Sequence, residues 1–363
     1  MKNSIGSSVI LTLFGESHGE AVGAVLDGLA PGIDVDLGFI ASQLEKRKGQ
    51  AGISTSRREN DRLRIISGIF NGKTTGAPLT IIIENEDHND DEYECLRFLP
   101  RPSHADYTAQ VKYHGFQDYR GGGHFSGRIT AGIVAAGSIC LCALRKKGIY
   151  IGSHIKACGE IKDRDFIDHK ADISTLESLP IPILDNKSRA DFEKLITALK
   201  QKGDSIGGVL ETAVIGLPAG VGEPWFDSLE GLLSHAVFSI PAVKGVEFGA
   251  GFGFGCMKGS QANDALSVQD GKVVTMTNNN GGINGGISNG MPIVFSTAFK
   301  PTPSVLLKQQ TIDLSSMKDE PLIIQGRHDP TIVHRVAVVV DSMTAIVLCD
   351  ALAQRFGTDY LLS

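Results

Sequence analysis

The chain has 363 residues, of which 42% are hydrophobic, so it can bury a large apolar core. Its formal net charge of -6 argues against a general nucleic-acid binder, because such a protein presents a strongly basic surface. No stretch approaches eighteen consecutive apolar residues, and the N-terminus lacks the apolar segment of a signal peptide. The six cysteines show no Cys-x-x-Cys spacing. We therefore expect a soluble, cytoplasmic protein with reduced cysteines, no metal and no membrane partner.

Helical periodicity predicts five helices along the chain. Three of them are amphipathic and cover residues 37–49, 188–204 and 228–240. The other two, at 130–148 and 341–357, are apolar on nearly all sides, and Asp341 is a candidate N-cap for the second. Because both are apolar all round, we expect them to be buried between other layers.

Strand-like stretches precede, separate and follow these helices. One strand is expected before Glu16, and the others are expected at 62–70, 78–86, 208–220, 244–255, 291–304 and 334–340. Several follow one another through short turns, which favours antiparallel pairing over a parallel array with crossover helices. Since no linker-like segment divides the chain, we predict a single α+β domain over residues 1–363, with apolar helices packed against sheets.

Two glycine-containing stretches resemble nucleotide-binding motifs but fail on closer inspection. "SGIFNGKTTGAP" has Ser67 where a P-loop needs glycine, and it leads into a strand where a P-loop needs a helix. "GAGFGFG", at 249–255, is followed by polar residues and not by the apolar helix of a dinucleotide-binding fold. Neither stretch predicts a nucleotide site.

Four short polar stretches place ionisable residues among glycines or prolines. They are "FGESHGEAVG" with Glu16, Ser17 and His18, "RPSHADYT" with Arg101, His104 and Asp106, "YRGGGHFSGR" at 119–128, and "QGRHDPTIVHR" with Arg327, His328 and Asp329. Each histidine could be structural, and the three glycines could form a plain surface turn. Arginine binds carboxylate and phosphate bidentately, and histidine transfers protons near neutral pH. Together the stretches indicate a polyanionic substrate that needs acid–base chemistry.

Taken together, these stretches resemble the chorismate synthase family along essentially the whole chain. The resemblance is carried by "FGESHG", "SRREND…SGIFNGKTTGAP", "RPSHADYT…KYHGFQDYRGGG", "AVKGVEFGAGF", "NNNGGINGGISNGMPI", "KPTPS" and "GRHDP". It implies a helical layer sandwiched between antiparallel β-sheets, and a homotetramer. It also implies that reduced FMN is bound while 5-enolpyruvylshikimate 3-phosphate is converted to chorismate and phosphate, a 1,4-anti elimination without net redox change.

The resemblance also assigns expected roles to residues of this chain. It implies anion contacts by Arg47, Arg57, Arg101, Arg128 and Arg327, although the first two could otherwise belong to a solvated basic surface. It implies that His18 protonates the departing phosphate, that His104 lies beside the flavin, and that Asp329, with Ser17 and Ser126, relays the substrate proton through the flavin. The implied FMN contacts are His124, Phe125, Ser126, Ala242, Gly285, Lys300, Pro301, Thr302, Pro303, Ser304 and Arg327.

Three positions depart from the family pattern. The glycines are followed by His124 and Phe125, where an arginine and a serine are usual, and Pro241 replaces an asparagine before Ala242. The basic segment near "KGQAG" is one residue shorter and lacks a second basic residue that is tied to nicotinamide contact in flavin-reducing members. These differences concern cofactor contacts, whereas the residues with implied catalytic roles are all present.

Two alternatives remain at this stage. The first is a flavin reductase that uses the same FMN site and NADPH, which is also a possible reductant for the elimination enzyme. The second is a non-enzymatic anion or nucleic-acid binder that uses the basic loops. Net acidity, and the lack of aromatic residues among the basic ones, weigh against nucleic acid.

Overall fold

Two five-stranded antiparallel sheets enclose a layer of helices in this protein. The structure is a computed structural model that describes residues 2–49, 53–54, 61–86, 97–324, 326 and 328–362. Within these residues, the predicted α+β sandwich with a central helical layer is confirmed. One apolar cluster extends from the first sheet through the helices to the second. The assignment of residues 1–363 to a single domain stays a prediction.

The first sheet is built from the N-terminal quarter of the chain. Its strands are β1 (Ser4–Ile5), β2 (Ile10–Gly15), β3 (Ala21–Asp27), β4 (Leu63–Ser67) and β7 (Leu79–Glu84), and a small hairpin joins β5 (Ile69–Phe70) to β6 (Lys73–Thr74). The spatial order is β1-β2-β3-β7-β4, with every pair antiparallel. The loops that leave the ends of β2 and β7 carry residues 16–19 and 85–86.

The second sheet is built from the middle of the chain. Its strands are β8 (Tyr150–Cys158), β9 (Ile161–Lys162), β10 (Gly208–Ile215), β11 (Val243–Phe248) and β16 (Ile293–Phe299). They lie in the order β11-β16-β10-β8-β9 and are again antiparallel. Three two-stranded hairpins lie outside it: β12 (Leu266–Gln269) with β13 (Lys272–Thr275), β14 (Ile283–Asn284) with β15 (Ile287–Ser288), and β17 (Gln309–Asp313) with β18 (Lys318–Leu322).

The described helices comprise a buried central pair and six others. They are α1 (Leu37–Arg47), α2 (Asp106–Lys112), α3 (Thr130–Lys146), α4 (His169–Ser178), α5 (Asn186–Lys202), α6 (Leu229–Val237), α7 (Gly259–Ala262) and α8 (Val333–Phe356). Short 3-10 turns occupy Arg120–Phe125, Gly127–Ile129, Trp225–Asp227, Gly251–Cys256 and Thr358–Leu361. The helices predicted near 37–49, 130–148, 188–204, 228–240 and 341–357 are therefore confirmed, although the last begins earlier, at Val333.

Helices α3 and α8 pack against each other at the centre of the sandwich. Helix α3 contacts β3 of the first sheet, and α8 contacts β8 and β10 of the second. The two helices approach so closely that a Cβ on Gly137 would lie 2.4 Å from Ser342 Cβ. Likewise, a Cβ on Gly132 would lie 2.8 Å from Gly23 O in β3. Glycines without side chains thus allow three layers to stack closely.

The prediction for the C-terminal segment is wrong in two respects. Residues 334–340, expected as a strand, form the first part of α8, and Asp341 is not an N-cap but lies inside this helix. The run of valines does not distinguish the two structures, because a fully buried helix and a buried strand are both continuously apolar. The Asp341 carboxylate accepts a hydrogen bond from Ser153 Oγ (2.6 Å), and burial raises its pKa to about 6.

The other strand predictions are confirmed in part, but several were too long. In the stretch 244–255, for example, β11 ends at Phe248 and a 3-10 turn follows. Strands β3 and β8 and the three outer hairpins have no counterpart among the predicted strands.

Two helical segments are long and apolar enough to cross a membrane by length and composition. They are Gly127–Lys146 and Val333–Phe356, and 89% of the most hydrophobic window of each is buried inside the protein. Core helices of soluble proteins pass the same test, and these two are the helices that the sheets cover.

We expect Gly137→Ala to destabilise the protein, because the added methyl group would overlap Ser342 at the crossing of α3 and α8. Overpacking of this kind costs about 1–3 kcal/mol, which outweighs the gain of roughly 1 kcal/mol in helix propensity. Urea unfolding should show a lower free energy of unfolding for Gly137→Ala than for the parent protein. Gly259→Ala is the control, since its added Cβ has no neighbour within 4 Å. A Gly137→Ala protein as stable as the parent would contradict the close approach.

Candidate active site

A cavity of about 1020 Å³ lies where several loops meet at one edge of the sandwich. Segments 100–106, 117–130, 238–244 and 300–304 contribute to its wall. The basic residues of this wall are Lys2, Arg97, Arg101, Lys244 and Lys300, and its acids are Asp106 and Asp118. Both acids are already hydrogen-bonded to arginines. The wall therefore carries an excess of positive charge, which suits an anionic ligand of small-molecule size.

The three consecutive glycines fold over His18. Gly121, Gly122 and Gly123 have φ angles of +57°, +83° and +53°, a region that favours glycine. A Cβ on Gly121 would lie 2.4 Å from His18 Cδ2, and one on Gly123 would lie 2.1 Å from a backbone oxygen. Ser17 N donates a hydrogen bond to Gly123 O (3.1 Å). His18 is therefore buried, with 4% of its surface exposed, directly behind the cavity residue Gly121.

His104 is held at the cavity wall by both ring nitrogens. Nδ1 lies 3.0 Å from Pro102 O, and Nε2 lies 2.9 Å from Ser304 Oγ. Because the Pro102 carbonyl can only accept, the neutral ring carries its proton on Nδ1 and accepts from the serine hydroxyl. Burial, reinforced by the positive charge of Arg101, lowers the His104 pKa to about 4. The imidazole is therefore neutral near pH 7.

Arg101 is oriented by Asp106 before any ligand binds. Its Nε donates to Asp106 Oδ2 (2.8 Å) and its Nη2 to Oδ1 (2.9 Å), while its backbone N also donates to Oδ2. Burial opposes ionisation of Asp106, but the hydrogen bonds and charge of Arg101 hold the pKa of Asp106 below its ordinary value. The ion pair with Asp106 therefore fixes the orientation of the Arg101 guanidinium at the cavity wall.

A second group of charges forms around Asp61, next to the cavity wall. Arg47 Nη2 lies 3.1 Å from Asp61 Oδ2, and Arg128 Nη1 donates to Asp61 Oδ1. The three side chains are nearly fully buried. Arg128 also donates to Asn85 Oδ1 (2.9 Å) and to Glu84 O (3.0 Å). Two arginines with implied substrate contacts thus share one carboxylate.

Asp329 lies beside this arginine group. Its carboxylate accepts a hydrogen bond from Arg335 Nη1, and Arg335 Nε donates to Arg47 O (2.9 Å). His334 directly precedes Arg335 in α8; its Nε2 is 2.8 Å from Ser54 Oγ, and burial lowers its pKa to about 4. Hydrogen bonds therefore connect Asp329, through Arg335 and Arg47, to Asp61 and Arg128.

The residues after the glycine run all approach the cavity. His124 Nδ1 donates to Gly15 O (2.7 Å), and Phe125 meets the edge of Tyr113 at 6.1 Å between ring centroids. Ser126 Oγ accepts a hydrogen bond from Arg128 N (3.3 Å). His124, Phe125 and Ser126 belong to the cavity wall, so the side chains that depart from the family pattern lie at this surface.

The remaining residues with implied cofactor contacts divide into three sets. Ala242, Lys300, Pro303 and Ser304 belong to the cavity wall, together with Pro241. Thr302 is half-buried and Pro301 is exposed beside it. Gly285 occupies the exposed turn between β14 and β15 and is not among the residues of the described wall. Arg57 and Arg327 lie outside the described residues.

Sequence reasoning missed the groups that hold the arginines. Asp61 lies at the end of "SRREND", which was interpreted as a basic stretch, and Asn85 lies near the end of the stretch 78–86, which was predicted as a strand without a functional role. An acid three residues after a pair of arginines was the available signal for Asp61. Lys244 and Arg97 were also missed. In the part of the chain that the structure describes, no group of three or more His, Cys, Asp or Glu could hold a metal ion.

Comparison with known proteins gives a consistent result. The chorismate synthase family model matches residues 9–353 of the chain. A chorismate synthase of Thermococcus gammatolerans is 46% identical over 353 residues, or 96% of this chain and 97% of that protein. One from Dehalococcoides mccartyi is 47% identical over 358 residues, or 98% of each. A crystal structure of chorismate synthase has a TM-score of 0.76 and 30% identity, covering 97% of this chain and 94% of that chain.

We expect His104 to stay neutral until the pH approaches its folded-state pKa of about 4. Histidine NMR should show an Nδ1-protonated neutral ring from pH 8 to 5. Because an unfolded histidine has a pKa of about 6.5, the unfolded chain binds the extra proton between those two values. This contribution therefore lowers the free energy of unfolding as the pH falls from 6.5 towards 4.

The Ser304→Ala variant is the control for this titration. It removes the hydroxyl that donates to Nε2, so the Nε2 resonance should move while the ring stays neutral at pH 7. Protonation of His104 near pH 6.5 in the parent protein would contradict the burial argument.

Proposed function

The chain belongs to the chorismate synthase family, and on this basis we propose that it eliminates phosphate from 5-enolpyruvylshikimate 3-phosphate to give chorismate. The proposed reaction is an anti-1,4-elimination with reduced FMN and no net redox change, which makes the protein a carbon–oxygen lyase of the shikimate pathway and aromatic amino acid biosynthesis. The observation that carries the proposal is the basic cavity beside which three of the four polar stretches meet. A substrate with two carboxylates and a phosphate needs such a surface.

The residues at the cavity fit a flavin phosphate. The wall combines apolar groups such as Phe125 and Ile240 with the cations Lys244 and Lys300, as a planar apolar ring with an anionic tail requires. In the segment 300–304, which contributes to the wall, Thr302 Oγ1 is buried and has no hydrogen-bond partner among the described residues. We infer that segments 124–126 and 300–304, together with Ala242, would hold FMN. When bound, reduced FMN would supply electron density that weakens the C–O bond to phosphate.

The side chains have separate tasks in the proposed reaction. Arg101, fixed by Asp106, binds an anionic group of the substrate, and the positive charge of Arg47 and Arg128 stabilises further negative charge. His18 donates a proton to the departing phosphate as the C–O bond breaks, and the electron pair leaves with the oxygen. Asp329, with Ser17 and Ser126, takes up the proton lost from the substrate carbon. The neutral His104 is hydrogen-bonded to Pro102 O and Ser304 Oγ, and so positions the segment 300–304 that would hold the cofactor.

The proposal includes a cytoplasmic homotetramer. Trp225, Phe226 and Phe252 are large apolar side chains that are almost fully exposed in the single chain. Exposed apolar groups on this scale are typical of surfaces that bind another protein. Light scattering should therefore give a mass near four times 38.6 kDa, and a monomer would contradict this part of the proposal.

An anaerobic assay tests the reaction itself. Purified protein, FMN, dithionite and 5-enolpyruvylshikimate 3-phosphate are mixed, and chorismate absorbance and free phosphate are followed together. We expect equal amounts of both products, and only with reduced flavin. Phosphate without chorismate would indicate a hydrolase instead. Replacing dithionite with NADPH tests whether the protein reduces its own flavin, and flavin reduction by NADPH without chorismate would favour the reductase alternative.

We expect His18→Ala to slow the elimination by roughly two to four orders of magnitude, as loss of a general acid does. FMN affinity, measured by flavin fluorescence, should change little, because His18 lies behind Gly121 and not on the described cavity wall. The control is His114→Asn, which changes an exposed histidine whose positive φ asparagine tolerates. Full activity of His18→Ala would remove His18 from the mechanism.

A further inference from the structure

The side chain of Asn85 uses both ends of its amide to join two parts of the site. It follows β7 directly, and its Nδ2 donates hydrogen bonds to Glu16 O (3.0 Å) and Gly19 O (2.8 Å). Its Oδ1 accepts a hydrogen bond from Arg128 Nε (2.9 Å). Both amide hydrogens and the carbonyl oxygen are therefore engaged.

The two carbonyl groups that Asn85 holds lie on either side of His18. Residues 16–19 form a tight turn, closed by a hydrogen bond from Gly19 N to Glu16 O (3.1 Å). Asn85 N also donates to Glu20 O (3.1 Å), so backbone and side chain both fasten this turn to the end of β7. Gly121 packs against the imidazole from the cavity side. The turn is thus fixed from the sheet while the ring is covered by the glycine run.

The other end of the Asn85 amide contacts the arginine group. Arg128 donates to Asn85, to Glu84 O and to Asp61, and Asp61 also binds Arg47. One side chain therefore connects the turn that carries His18 to the buried cations. Only an amide of this length provides two donors and an acceptor at once, because a carboxylate has no donor and a hydroxyl has one.

We propose that Asn85 is a positioning residue that fixes the orientation of His18 relative to the arginine group. The inference rests on the proposed function, in which His18 donates a proton to the departing phosphate. An error of about 1 Å in the place of such a group can cost a hundredfold in rate. Asn85 acts through the turn and need not contact the substrate.

The variants Asn85→Asp, Asn85→Ser and Asn85→Ala separate the two ends of the amide. Asn85→Asp keeps an acceptor for Arg128 and removes both donors to the turn, Asn85→Ser keeps one donor, and Asn85→Ala removes everything. In the anaerobic assay we expect Asn85→Asp and Asn85→Ala to lower kcat by about 10- to 100-fold, with substrate KM changed less than about threefold. The kcat of Asn85→Ser should lie between the kcat of these two variants and that of the parent protein. Full kcat in Asn85→Asp would overturn the proposal, because the contact with Arg128 would then be sufficient.

A double variant tests whether Asn85 acts through His18. If it does, Asn85→Asp should slow the His18→Ala protein by no more than about twofold, since the group that it positions is already gone. If the rate losses of the two single variants instead multiply in the double variant, the proposal is overturned. If Asn85→Asp does not fold, as judged by thermal unfolding, the same comparison is made with Asn85→Ser.

Histidine NMR gives a readout that does not depend on turnover. The His18 ring resonance, assigned by its loss in His18→Ala, should shift and broaden in Asn85→Asp while the His104 resonance stays in place. An unchanged His18 resonance would overturn the inference. If the parent protein makes no chorismate, the proposed function fails, and this spectrum alone decides whether Asn85 positions His18.

Discussion

The contact between α3 and α8 is the constraint on which the rest of the structure depends. Both helices are apolar on nearly every side, so neither is stable in water until the other helix and a sheet cover it. Their close approach at Gly137 and Ser342 brings the two sheets near enough to share one apolar core. The 3-10 turn at Gly127–Ile129 leads directly into α3, so the buried pair also determines where the glycine run and Arg128 lie.

Buried acids determine where the cationic groups of the site point. A buried guanidinium without a partner is very costly, and a flexible one has to be ordered when the ligand binds. Asp106 and Asp61 remove both difficulties, since the first orients Arg101 and the second holds Arg47 and Arg128. Two arginines on one carboxylate leave a net positive charge, so the group can still attract an anion.

The sequence alone predicted the layers, five of the helices and three polar stretches that come together beside the cavity. It was wrong for residues 334–340, because in a fully buried element hydrophobic periodicity cannot distinguish helix from strand. It also missed Asp61 and Asn85, because nothing in a linear pattern tells which distant arginine an acid or amide will meet. The side chains with implied chemical roles were recognisable from motifs, whereas the side chains that hold them depend on tertiary contacts.

The charge state of His104 limits how the site can respond to pH. Its imidazole is neutral above about pH 4, and arginines stay protonated throughout the physiological range. The positive charge that Arg47, Arg101 and Arg128 contribute is therefore the same at pH 6 and pH 8, and His104 adds nothing to it. Binding of the anionic substrate should therefore not change over that range through titration of His104 or of these arginines. A change in turnover there would have to come from another group of the protein, from the cofactor or from the substrate phosphate, whose second ionisation lies near pH 6.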